Sequence, residues 1–393
     1  LKVVMDKRSV VFLFIITLLL HVLPIWRHYS DCNRSSSTFA VNSVSMAVND
    51  SMPMMFKEFI NPDPVSEMVH VSSICELRNG GLAAVWYGGT REGSKDTAIF
   101  LSTSGADNKT TWSKPEVVVD RKSASQELNR YVKKIGNSII FMDSEDRLWL
   151  VYVTIAFGGW SGSSLNFKIS YDGGINWTNS QRINLSPFFN VSELVRNNPV
   201  FLDNDGFVIP IYHECLGRFP EILWVRNGNK ENEFHFRKTR MAGGRSFIQP
   251  SIVAYEPYLA TAFYRNLSSD RKIAISTTRD AGHTWSEPQN LKLPNPDSGI
   301  NAVHLSNGLI LMAFNDSREN RENLSLAISD DSGHNWRHIS TIENTQGEEF
   351  SYPYMIQTSD KIIHLVYTWQ RRHIKHLAFN EPWIDMQIKG TKR

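Results

Sequence analysis

The chain has 393 residues, with 42 Lys and Arg against 40 Asp and Glu, a net charge of +2 and 41% hydrophobic residues. A near-neutral balance lacks the basic excess of a nucleic-acid binder, and 11 Trp in a chain that is 11% aromatic exclude a disordered one. The length suits one large all-β domain once an N-terminal segment is set aside.

That segment comes first in chain order. Lys7 and Arg8 precede an apolar run over residues 10–20, which continues weakly through His21 and Pro24 to Trp26. A charged flank before an apolar core reads as a signal peptide or a signal-anchor. Arg27, His28 and Tyr29 follow where a small-x-small cleavage site would lie, which favours an uncleaved anchor. Lys2, Lys7 and Arg8 would then stay inside, leaving the rest membrane-anchored outside the cytoplasm. Cleavage and secretion is the other reading. The expected division is residues 1–26 as anchor or signal, 27–55 as a Ser/Asn-rich linker, and 56–393 as the folded domain.

The domain carries a repeat, Ser/Thr-x-Asp-x-Gly-x-x-Trp. It occurs at Ser170 to Trp177, Thr278 to Trp285 and Ser329 to Trp336, with a degenerate copy at Ser102 to Ser104 followed by Trp112. Each full copy follows a strand-like run. An Asp in such a turn accepts backbone N–H groups, Gly supplies a positive φ, and Trp opens the next strand and packs inward. Asp280 and Asp331 are 51 residues apart and Asp172 and Asp280 are 108 apart, so one intervening unit has lost its box. Four strands in about 50 residues is the arithmetic of a propeller blade. The expected fold is all-β, a six-bladed β-propeller with an N-terminal hydrophobic helix. A tail running from Ile362 to Trp383 supplies most of the sixth blade, and a strand near residues 56–60 closes the ring. No other long helical period is visible.

On these boxes the sequence resembles the sialidase (neuraminidase) superfamily of Asp-box, or BNR-repeat, proteins, and looks most like its bacterial predicted-neuraminidase branch. The resemblance covers about residues 65–385. Sialidases hold the substrate carboxylate with an arginine triad and attack with a Tyr nucleophile, assisted by a Glu partner and an Asp acid/base. Arg clamps a carboxylate bidentately, and Tyr needs a neighbouring base to attack. The resemblance implies the third triad arginine at Arg321, ahead of a box, and the nucleophile at Tyr352 in Phe350-Ser351-Tyr352-Pro353. It implies the second triad arginine at Arg265 and the acid/base at Asp96. Two positions depart from the pattern. Gln249, in Gln249-Pro250-Ser251, stands where the partner Glu falls and cannot act as a base. His70, in Val69-His70-Val71-Ser72, stands where the first triad Arg falls.

Tyr212-His213-Glu214 ends an apolar strand with a polar group, a candidate contribution of Glu214 to catalysis and of His213 to substrate binding. Arg91-Glu92 and Arg371-Arg372 are suggestive in the same way. Three functions fit: a sialidase-like hydrolase of an anionic glycan, a polysaccharide lyase of uronate sugars with His or Tyr as base, or a non-catalytic glycan-binding propeller. The expected partner is carbohydrate, with the membrane through the anchor and no nucleic acid. No cofactor or metal is implied, since Cys32, Cys75 and Cys215 lack zinc-ligand spacing. Asn-x-Ser/Thr triplets, including Asn108 and Asn190, matter only in a glycosylating host.

Overall fold

The Asp boxes form the turns that their chemistry demands. Asp172, Asp280 and Asp331 each accept a backbone N–H at 2.8 Å, from Asn176, Thr284 and Asn335. Gly174, Gly282 and Gly333 take φ of 102°, 90° and 92°. The three Trp indoles donate back to the carbonyls of these glycines at 2.7–3.0 Å, so Trp sits within the turn and closes it. The degenerate copy keeps part of the staple. Ser102 Oγ donates to Ser113 O at 2.6 Å, as Ser276 Oγ does to Ser286 O at 2.5 Å.

These turns join the third and fourth strands of antiparallel sheets in a computed structural model that describes residues 6–32, 37–41, 52–107, 109–185, 190–230 and 232–390. Six such sheets follow in order. Blade I is Met68–Glu76, Leu82–Gly89, Ala98–Ser104 and Glu116–Val119. Blade II is Lys134–Met142, Leu148–Ile155, Ser163–Ser170 and Gln181–Arg182. Blade III is Leu194–Val195 with Val200–Phe201, then Phe207–His213, Phe219–Asn227 and Phe234–Arg240. It is the unit that lost its box. Blade IV is Phe247–Ala254, Ala260–Asn266, Lys272–Thr278 and Gln289–Pro294. Blade V is Asn301–His304, Ile310–Phe314, Asn323–Ser329 and Arg337–Asn344. Blade VI takes Phe350–Gln357, Ile363–Trp369 and His373–Phe379 from the C-terminal end and Met55–Phe59 from the N-terminal end.

The closing strand thus lies where the sequence placed it. The sixth blade starts earlier than expected, at Phe350, and Trp383 belongs to a helix, Glu381–Gly390, that docks its buried Trp383 and Ile384. A second short helix, Arg121–Glu127, is capped by Asp120. Both were missed because they are too short to show a period.

The inner strands carry a feature that decides the site. In blades I, II, IV and VI the pairing slips at His70/Ser73, Ile135/Ser138, Ile248/Ser251 and Ser351/Tyr354. A bulge re-aims a side chain. Val71, Gln249 and Tyr352 consequently adopt φ of 52°, 53° and 54°, a left-handed backbone that costs such residues about 1–3 kcal/mol each.

The chain divides into two compact units, Leu1–Thr38 and Phe39–Arg393. The first holds a helix, Lys7–Cys32, which runs past Trp26. Its described apolar side chains, between Val10 and Val22, are exposed, Phe12 and Phe14 by 65% and 67%. Among the described residues no helix is long and apolar enough to cross a membrane. Within the expected linker, residues 27–32 continue the helix. Phe39 is buried in the second unit and bridges Leu202, and the closing strand begins at Met55. Asn108 and the Cys32 side chain lie outside the described residues. Asn190 is buried with its amide donating to Ile183 O at 2.6 Å, so it offers no glycan acceptor. Cys75 is buried and free, and Cys215 is exposed and free.

Candidate functional site

His70, Gln249 and Tyr352 lie near the starts of their inner strands, at one mouth of the central channel. The loops joining second to third strands, and each blade to the next, open at this same mouth. They bring in Asp96, Glu214, Asp297, Arg321, Glu349 and Arg371.

Tyr352 is the centre, 9% exposed. Its hydroxyl accepts from Arg265 Nη1 at 3.3 Å, and the same nitrogen donates to Gln249 Oε1 at 3.4 Å. Arg265 Nε donates to Asp297 Oδ1 at 2.7 Å. Arg321 Nη2 donates to the Asp297 carbonyl at 2.8 Å, and its guanidinium lies 5.6 Å from the Tyr352 ring centroid. Asp297 therefore aims both guanidiniums at one phenol. His70 meets the Tyr352 ring edge-on at 4.7 Å between centroids. His70, Arg265, Arg321 and Tyr352 thus come together, with Gln249 beside them.

Asp96 does not join them through any hydrogen bond. Its carboxylate accepts from Thr90 N at 2.9 Å, Thr90 Oγ1 at 2.5 Å and Ser94 Oγ. The Ser94 and Thr90 hydroxyls hold its pKa down to about 2, which makes it a turn cap in this state. His213 also falls away from the group. It stacks on Phe219 at 4.6 Å and accepts from Leu216 N at 3.2 Å. Its strand neighbour Tyr212 points inward instead, as strand alternation requires. Tyr212 accepts from Gln249 Nε2 and Asn137 Nδ2, both at 3.2 Å. Glu214 is half-buried beyond Tyr212. Burial raises its pKa against the opposing pull of Arg218 and Arg265.

The electrostatics sort the remaining groups. Burial, reinforced by Arg371, lowers the His70 pKa to about 3, so the ring is neutral, and among the described residues neither nitrogen has a hydrogen-bond partner. Burial alone would raise Glu349, but the Arg371 hydrogen bond and neighbouring positive charge outweigh it and bring Glu349 to about 2. Arg371 Nε reaches Glu349 at 2.7 Å and its Nη1 reaches Glu92 at 2.8 Å, tying blade VI to blade I. Arg321 Nη1 lies 3.4 Å from the same Glu349.

Sequence reasoning missed Asp297, Glu349, Tyr212 as a functional group, Gly299 and Arg196. Arg196, following apolar Leu194–Val195, was the visible signal: a lone charge in an inner-strand segment. A Cβ on Gly299 would stand 2.9 Å from Tyr352 Cδ1, so only glycine fits there. The opposite mouth of the channel holds a separate cavity of about 540 Å³, lined at the strand ends by Asn198, Val253, His304 and Gln357, with none of the candidate residues. Among the described residues no group of three or more His, Cys, Asp or Glu is arranged to hold a metal.

Residues 80–365 match the BNR repeat-like domain. The chain belongs to the BNR repeat-like family. No curated protein is similar enough in sequence to match. Among solved structures, this BNR repeat-like chain is similar to the Hadza microbial sialidase Hz136, with 15% identity and a TM-score of 0.64 over 80% of this chain and 66% of that one. The chain thus spans about two thirds of that sialidase's length. It is similar to the NanB sialidase of Streptococcus pneumoniae at 11% identity and TM-score 0.62, over 81% of this chain and 69% of NanB. It is also similar to the intramolecular trans-sialidase of Ruminococcus gnavus at 14% identity and TM-score 0.62, over 83% of this chain and 97% of that one. At these identities the likeness establishes the six-bladed sialidase fold, and chemistry must be argued from the site.

Proposed function

We propose that this BNR repeat-like protein is a sialidase-like glycoside hydrolase acting on an anionic sugar, an exo-α-sialidase or a close chemical relative. One observation carries the reading: Arg265 and Arg321 are both oriented by Asp297 toward the Tyr352 phenol at a single mouth. Two guanidiniums fit a substrate carboxylate, and the phenol is placed to attack the adjoining anomeric carbon. The sialidases named above add support through their shared fold.

Proton transfer falls to the carboxyls. Glu214, raised by burial, is suited to give a proton to the leaving group. Asp96 would take that role only after release from Ser94 and Thr90. His70 is too weak a base for the uronate-lyase reading, since burial holds its pKa at about 3. The binding-only reading draws on a specific observation, the neutral Gln249 next to Tyr352, which leaves the phenol without a base. We further propose a location outside the cytoplasm, as an anchored or released protein. The charged flank and apolar run of residues 7–20 support this.

Incubation with sialyl and uronyl glycosides, followed by product analysis, tests the reading. Free sialic acid or a related free acidic sugar is expected. An unsaturated sugar absorbing in the ultraviolet would transfer the assignment to a lyase, and binding with no product would establish the binding-only alternative.

A further inference from the structure

Arg196 follows the short inner strand Leu194–Val195 of blade III and is 1% exposed. Among the described residues its guanidinium has no carboxylate partner. It donates to neutral oxygens only: Asn197 Oδ1, Ile300 O at 3.5 Å and Pro353 O at 2.5 Å. Its Nε has no hydrogen-bond partner among the described residues. Burial lowers its pKa to about 10, which leaves it charged at neutral pH. An unpaired buried charge is costly, and an interior that could have used Leu or Met at this position has kept one.

Its contacts converge on one neighbour. Pro353, the acceptor at 2.5 Å, directly follows Tyr352. The guanidinium carbon lies 5.5 Å from the Tyr352 ring centroid, within cation–π range. The Gly299 notch closes the arrangement, since a Cβ there would lie 2.9 Å from the Tyr352 ring, 3.3 Å from Arg196 Nε and 3.3 Å from Gln249 Oε1. Tyr352 needs such support, because its φ of 54° is unfavourable for a bulky side chain and will not persist unless its surroundings enforce it.

We propose that Arg196 is a positioning residue for Tyr352. It pins the left-handed backbone through the Pro353 carbonyl and the ring through its cation face, so that the hydroxyl stays on Arg265. The functional importance of this role rests on reading Tyr352 as the reacting group. The positioning itself does not.

The test therefore uses two readouts on Arg196→Met, Arg196→Lys and Gly299→Ala. The first is nitration of Tyr352 by tetranitromethane, followed by peptide mass spectrometry. Freeing the ring in Arg196→Met should raise its rate about tenfold, the worth of one lost hydrogen bond against local opening. Lys keeps the charge without the fork and should fall between. Gly299→Ala disturbs the ring without changing charge and should raise it as well. The second readout is turnover of an aryl sialoside, where kcat should fall about 100-fold with KM little changed, as for a misplaced reacting group. Thermal melts identify any variant that fails to fold; should Arg196→Met do so, the other two decide. Wild-type nitration rates in the folded variants would overturn the positioning role. Faster nitration with undiminished turnover, together with a fully active Tyr352→Phe, would retain the positioning role and remove the assignment of Tyr352 as the reacting group.

Discussion

Replacing Gln249 by Glu would restore a carboxylate next to the phenol, and the structure says what this should cost. Gln249 is 3% exposed, so the new charge would be buried. Arg265 Nη1 lies 3.4 Å from Oε1, and at an effective dielectric of 20 that separation is worth about 5 kcal/mol. Burying a carboxylate costs several kcal/mol, so the two terms nearly cancel and stability should change by less than about 2 kcal/mol. The hydrogen-bond network can follow. Tyr212 now accepts from both Gln249 and Asn137. With Glu at 249 it turns its own hydroxyl hydrogen to the carboxylate and still accepts from Asn137, which leaves no orphan. A general base is worth about 10²–10⁴-fold, so turnover of an aryl sialoside should rise by about 100-fold or more in Gln249→Glu, measured as initial rates next to a thermal melt. A folded variant no faster than the parent would show that a missing base is not what limits Tyr352, and the nucleophile assignment would lose its chemical basis.

Other outcomes follow from the same geometry. If Glu214 donates the proton, activity requires its protonated form and declines as pH rises through its raised pKa; Glu214→Gln should remove that limb of the pH–rate profile, and an intact limb would exclude Glu214 as the donor. Glu349 has a folded pKa of about 2 against an ordinary 4.5. Its ion pairs therefore contribute stability fully above about 4.5, and that contribution disappears as pH falls through about 2. Glu349→Gln should be less stable than the parent at pH 7, with denaturant midpoints that converge as pH falls from about 4.5 toward 2. In blade IV, Asp280 accepts from Thr278 Oγ1, Thr284 N and Thr284 Oγ1. Asp280→Ala should cost about 1–2 kcal/mol, measured by denaturation, with unchanged kinetics because the turn is at the far end of its blade.

The blades were legible because an Asp box is local chemistry. An acceptor, a glycine and an indole within eight positions define a turn whatever the rest of the chain does, and three such turns set the blade period. The helix Glu381–Gly390 carries no comparable local signature, and a β-reading of Trp383 followed. The site was legible only where a segment resembled a known one. His70, Gln249, Arg265, Arg321 and Tyr352 were found this way and come together. Asp297 lies 32 residues from Arg265 and 24 from Arg321, in a connection between blades IV and V, and only ring closure makes it their common partner. His213 was grouped with Tyr212 by adjacency, whereas alternation along the strand sends the two side chains to opposite faces. Asp96 matched by position, but the hydroxyls of Ser94 and Thr90 satisfy it within its own turn.

The charge balance at the mouth explains how anion binding can outlast a lost base. Arg371 is saturated by Glu349 and Glu92, which makes it a clamp between blades. Arg265 has one carboxylate, Asp297, and Arg321 has only the longer contact to Glu349 at 3.4 Å. Arg196 has none among the described residues. Arg265 and Arg321 therefore keep donor capacity that a substrate carboxylate would engage where the two are aimed. Asp297 holds both guanidiniums, at 2.7 Å and 2.8 Å, and residue 249 adds only the longer 3.4 Å contact to Arg265. A change from Glu to its isostere Gln at 249 would therefore leave the carboxylate clamp in place and remove only proton transfer. Binding and chemistry are separable in this architecture, and the Gln249→Glu variant tests the chemical half alone.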